Sequence, residues 1–177
     1  EPRRLTENTN PLDEPRWTPR WSPDGRWIAY VSSRSGERNN DDLWLVSADG
    51  SQHRQLTTGL MVNTDGHWSP DGTRLAVVAN TENEHWYGDD ADVWSVIAGE
   101  GPSTRLTPAG GHSWRLEGAG LAWSPDGGTI YALSHRNGDR NITAVPADGG
   151  VRTAVTNLTG IVTDFALSPD GQMVAFI

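Results

Sequence analysis

Three observations predict an all-β fold built from repeated antiparallel units. Ser-Pro-Asp-Gly occurs four times, at Ser22–Gly25, Ser69–Gly72, Ser124–Gly127 and Ser168–Gly171, with the serines 47, 55 and 44 residues apart. An apolar residue stands three positions after each glycine (Ile28, Leu75, Ile130, Val174) and opens a strand-like run. Twenty glycines and eleven prolines punctuate the chain at turn spacing, with few long helical periods. Self-similarity at a period in the forties marks units that stack on one another.

The first full unit shows how the pattern is made. A short strand lies around Trp21, and Ser22–Gly25 then turns the chain. Proline pre-sets the first central position of a type I turn, aspartate bonds nearby backbone, and glycine supplies a φ > 0 residue. A second strand runs from Trp27 to Val31, and a polar loop over 32–40 leads to a third from Asp42 to Val46. Asp49-Gly50 reads as a two-residue hairpin turn. A fourth strand, Arg54–Thr57, closes the unit. The order recurs in Leu75–Val78, Asp92–Val96 and Thr104–Thr107, then in Ile130–Leu133, Asn141–Val145 and Thr153–Thr156, where Asp148-Gly149 repeats the hairpin turn.

Four short antiparallel strands per ~40–50 residues describe one blade of a β-propeller. The prediction is a partial β-propeller of about three and a half four-stranded antiparallel blades. Arg3–Thr6 ends one blade (residues 1–7), whole blades occupy about 15–57, 61–107 and 118–156, and a further blade starts over 161–177. Closed propellers contain about four to eight blades, so the chain is expected to be a portion of a longer one.

The net charge of −9 argues against a nucleic-acid or anionic-membrane partner, because phosphate binding needs a basic surface. No run approaches the ~20 apolar residues of a membrane span. With no cysteine, disulfide and thiol chemistry are absent and the compartment stays open.

The strings WSPDGRWIAYVSSRSG (21–36), DLWLVSADG (42–50) and RQLT (54–57) resemble the propeller repeat of two groups. One is the N-terminal propeller of prolyl-oligopeptidase-family serine peptidases, especially the acylaminoacyl-peptidase and dipeptidyl-peptidase-like branch. The other is the TolB propeller. The first resemblance implies a non-catalytic gate docked on an α/β-hydrolase domain, a peptide substrate for the parent enzyme, and a cytoplasmic location. The second implies a periplasmic protein-interaction propeller. The hydrolase domain of such peptidases carries a G-x-S-x-G nucleophile elbow. No such string occurs here; Gly111-His112-Ser113-Trp114-Arg115 lacks the second glycine, and its histidine and serine are adjacent. No catalytic residue and no cofactor are expected.

Six of nine tryptophans (Trp21, Trp27, Trp44, Trp68, Trp94, Trp123) recur at equivalent positions, as packing between blades requires. Trp17, Trp86 and Trp114 fall outside the repeat strands. Alternating strand direction sends the loops after second and fourth strands to one end, and the Ser-Pro-Asp-Gly and Asp-Gly turns to the other. Long loops on a rigid scaffold are where binding residues gather. His85, Trp86, Tyr87, Trp114 and Arg115 are therefore the candidates for a partner or substrate face. Asp89, Asp90 and Asp92 lack the spacing of a calcium loop, and the five histidines lack a metal-ligand spacing, so no metal is assigned. The innermost strands offer His67 and Asp164 without a convergent set, which ranks a free-standing enzyme last. Open blade sides and strand edges at Arg3–Thr6 and Gln172–Ile177 lead to the expectation of a homodimer.

Overall fold

The computed structural model describes residues 2–6, 16–33, 41–62, 64, 66–81, 91–107 and 120–177. The described elements are strands joined by turns, all paired antiparallel in four sheets that follow chain order. Blade 1 contains β1 (Arg16–Trp21), β2 (Trp27–Ser33), β3 (Asp41–Ser47) and β4 (His53–Gln55). Blade 2 contains β5 (Leu60–Val62), β6 (His67–Trp68), β7 (Arg74–Thr81), β8 (Asp92–Ile97) and β9 (Thr104–Arg105). Blade 3 contains β10 (Leu121–Trp123), β11 (Thr129–Arg136), β12 (Asp139–Pro146) and β13 (Thr153–Ala154). β14 (Phe165–Leu167) and β15 (Val174–Phe176) form a two-stranded sheet beyond it.

Side-chain alternation directs each blade's two faces to different neighbours. Ala29, Val31, Leu43 and Leu45 of blade 1 meet Leu75, Val77, Ala79 and Val96 of blade 2. The other face of blade 2, with Ala76, Val78 and Val93, meets Ile130, Ala132 and Val145 of blade 3. Leu133 and Ile142 of blade 3 take Val162, Phe165 and Val174. The core is thus a series of apolar layers between stacked sheets.

Four local readings need correction. The first strand of blade 2 is split: β5 pairs the far half of β7 (Val62↔Ala79) and β6 the near half (His67↔Ala76). Between them the Thr64 hydroxyl accepts the Val78 amide at 2.9 Å, so the interruption leaves that buried-strand donor satisfied. Gly66 passes so close to the core here that a Cβ would lie 2.8 Å from side-chain carbons of both Leu43 and Leu75.

The fourth strands are shorter than the RQLT-type strings, because Thr57, Thr107 and Thr156 turn out of the ladder to bond side chains instead. The Asp49-Gly50 turn has positive φ only at Gly50 (75°), whereas the two-residue hairpin type needs it at both central positions. Ser47–Gly50 instead repeats the Ser-Pro-Asp-Gly geometry. Finally, Arg3–Thr6 forms no strand. Leu5 packs on Ile28, Tyr30, Trp44 and Val46, the face of blade 1 turned away from blade 2, and those four side chains are buried rather than open. An apolar side chain gains more from covering that face than from extending a ladder with no strand beside it.

Candidate functional site

The two ends of the blades differ in construction. At the turn end, the Ser22 hydroxyl donates to Asp24 at 2.6 Å and accepts the Trp27 amide at 2.9 Å, while Asp24 accepts the Arg26 amide at 3.0 Å. The same bonds recur about Ser69 and Asp71, Ser124 and Asp126, and Ser168 and Asp170. Ser47 and Asp49 copy them in the neighbouring turn. Donation by the serine hydroxyl, then by the backbone amide, favours the ionised carboxylate. It lowers the Asp49 and Asp71 pKa values to about 2, and those of Asp24, Asp126 and Asp170 also fall. All four Ser-Pro-Asp-Gly glycines hold φ between 69° and 72°, as the motif predicts.

These turns also dock on one another. Pro23, Pro70 and Pro125 each face the turn glycine of the next blade, at 3.5, 3.7 and 2.7 Å from where a Cβ would stand on Gly72, Gly127 and Gly171. The Trp68 and Trp123 indoles donate back to the Arg20 and His67 carbonyls at 3.0 and 2.7 Å. Arg74 crosses to blade 3, bonding the Ala147 carbonyl and the Asp148 carboxylate and lying over the Trp123 ring. Trp21 departs from the expected inter-blade packing: it is 59% exposed. Trp17 belongs to β1 rather than to a loop. At the turn end the repeated side chains thus shape the turns and dock neighbouring blades on one another.

The opposite end carries the candidate surface. His85, Trp86, Tyr87, Trp114 and Arg115 all lie outside the described residues, as do Asp89 and Asp90. The strands they connect leave at this end, since Thr81 and Ala91 border one segment and Thr107 and Gly120 the other. Asp92 is committed to structure, accepting from the Thr107 hydroxyl and pairing with Arg105. Among the described residues, no group of three or more histidine, aspartate or glutamate side chains could hold a metal.

At this end blade 3 has an open cavity of about 240 Å³, whose lining includes Ser134, Asn137, Asp139, Thr143, Ala154 and Thr156. The sequence reading missed it. The available signal was a gap in the tryptophan series: register aligns Thr143 with Trp44 and Trp94, and blade 3 alone lacks the indole.

No protein-family model matches the chain. The chain is 28% identical over 159 residues to an uncharacterized peptidase of Bacillus subtilis, YuxL, spanning 89% of this chain and 21% of that protein. It is 30% identical over 162 residues to a TolB homologue of Chlorobium luteolum, spanning 90% of this chain and 33% of that protein. A puromycin-hydrolyzing peptidase of Mycobacterium tuberculosis superposes with a TM-score of 0.69 at 19% identity, over 95% of this chain and 28% of that one. The chain thus spans about a fifth to a third of the length of these proteins. Its fold is a partial β-propeller, and its relatives include both peptidases and TolB-type proteins.

Proposed function

We propose that the chain is a propeller portion of a prolyl-oligopeptidase-family serine peptidase, acting as a non-catalytic gate docked on an α/β-hydrolase domain. The observation that carries this reading is the alignment with YuxL, which takes in 89% of the chain but only 21% of that peptidase. Rigid stacked blades fix the width of an opening, so they select short peptides by size without taking part in the chemistry. In assays of the purified chain against short peptide and aminoacyl-amide substrates, no turnover is expected. Hydrolysis that survives stringent purification and resists removal of contaminating peptidases would overturn the gate reading.

A second reading, a TolB-like protein-interaction propeller, is favoured by the 30% identity to the Chlorobium luteolum homologue. Fold alone does not separate the two, because one scaffold hosts unrelated functions.

On the peptidase reading the isolated chain pairs with itself through β15. Met173 and Ile177 are 71% and 80% exposed, and strand alternation leaves the backbone groups of Val174 and Phe176 at an unpaired edge. Sedimentation at micromolar concentration is expected to give twice the 19.3 kDa chain mass. A folded, soluble monomer would refute the pairing.

A further inference from the structure

The blade 3 cavity occupies the position where the repeat elsewhere places an indole. Equivalent positions line up across three strands: Tyr30, Trp44 and Gln55 in blade 1, and Val77, Trp94 and Arg105 in blade 2. In blade 3 the set is Ala132, Thr143 and Ala154, so every member is reduced at once. Blade 2 closes over Ala132, whereas the small Thr143 and Ala154 border an open pocket on an intact sheet. The surrounding frame is retained, since Asn141 and Thr156 stand where Asp92 and Thr107 flank Trp94.

The walls indicate what the pocket takes. The Ser134 and Thr143 hydroxyls bond each other at 2.7 Å. Thr156 donates to Asn141 Oδ1 and accepts the Ile142 amide. Asn141 Nδ2 donates to the Leu158 carbonyl, and Asp139 Oδ1 accepts the Gly160 amide at 2.7 Å. With these groups already occupied by one another, a polyhydroxylated ligand gains few new bonds here. An aromatic ring gains contact with Ala154 and with the Thr143 and Thr156 side chains that line the cavity. In blade 2 the Trp94 indole donates to the Ala79 carbonyl at 3.1 Å, and the register counterpart of Ala79 is Ser134.

We propose that this cavity binds an aromatic side chain of the indole class, presented by a peptide, in the position that Trp94 fills within blade 2. The ring lies against Thr143 and Ala154 with its N–H directed at the Ser134 carbonyl, and peptide backbone leaves past the exposed Asn137 and Asn157 at the rim. The site is independent of whether the chain comes from a peptidase or a TolB-type protein.

The test is titration of N-acetyl-tryptophanamide into the 177-residue chain, followed by amide NMR shifts. Saturable shifts at Ser134, Asn141, Thr143 and Ala154 are expected, with half-saturation at about 0.1–1 mM for a ligand of this size. Thr143→Trp fills the space with the repeat's own residue and is expected to weaken binding at least tenfold. Ala154→Arg, at an exposed edge position, blocks the same space and carries the test if the first variant does not fold. Absence of saturation, equal binding by a folded blocking variant, equal binding of N-acetyl-glycinamide, or saturation by glucose instead of the indole would each overturn the proposal.

Discussion

Thr57 and Asp42 lie fifteen residues apart in sequence and are joined in the interior of blade 1: the threonine hydroxyl donates to the carboxylate at 2.8 Å and accepts the Leu43 amide at 2.9 Å. Thr107 repeats both bonds with Asp92 and Val93, and Thr156 with Asn141 and Ile142. One hydroxyl thus ties the end of each fourth strand to the start of the third, at the end from which the long loops depart.

Replacing Thr107 by valine preserves shape but leaves the Val93 amide without its acceptor and Asp92 Oδ1 without the threonine donor, while Arg105 still holds Oδ2. Leaving buried polar groups unpaired costs about 1–3 kcal/mol. Urea denaturation is expected to show a loss of that size for Thr107→Val, and an unchanged midpoint would contradict the structural role.

The repeated tryptophans are unequal. Trp123→Phe removes the bond to the His67 carbonyl and is expected to cost about 1–2 kcal/mol. Trp21→Phe is expected to change stability by less than about 0.5 kcal/mol, since Trp21 is 59% exposed. Equal costs for the two variants would contradict the stacking order of the blades.

Gly25 and Gly171 share nearly the same φ, 69° and 70°, but not the same surroundings. An added Cβ at Gly25 meets nothing within 4 Å, whereas at Gly171 it lies 2.7 Å from Pro125 Cδ. Gly25→Ala is expected to cost about 1 kcal/mol from backbone strain alone, and Gly171→Ala more, because the β14–β15 sheet must also shift. Thermal melts of the two variants decide it, and a larger loss at Gly25 would refute the proline-to-turn docking.

The turn carboxylates make the fold acid-sensitive in one direction. Asp49 and Asp71 are lowered from the ordinary 3.8 to about 2, so the folded state holds their protons less tightly than the unfolded chain. Their contribution is complete above about pH 4 and is lost as pH falls through about 2. Melting temperature is expected to drop across that window, and less steeply in Asp71→Asn; the same slope in that variant would exclude Asp71 as a source.

The Ser-Pro-Asp-Gly turns were legible because all their bonds close within six residues, so four copies of the string give four copies of the geometry. The split of the first strand in blade 2 was not, because the space for Gly66 exists only once Leu43 of blade 1 and Leu75 are packed together. Leu5 escaped in the same way: RRLT carries the pattern of a fourth strand, and only the apolar face formed by Ile28, Tyr30, Trp44 and Val46 turns it into a cover. The Thr57–Asp42 spacing was present in all three units but reads as strand residues until the chains are folded. The cavity was legible in principle, as a missing tryptophan at Thr143, since a repeat breaks its own rule at functional or strained positions.

On the proposed reading these blades guard a hydrolase domain in the parent protein. Sequencing the encoding gene downstream of Ile177 tests it most directly. The prediction is further blades followed by an α/β-hydrolase segment with a G-x-S-x-G string between a strand and a helix. A reading frame that stops after the remaining blades, with no such segment, would contradict the peptidase account and support the protein-interaction propeller.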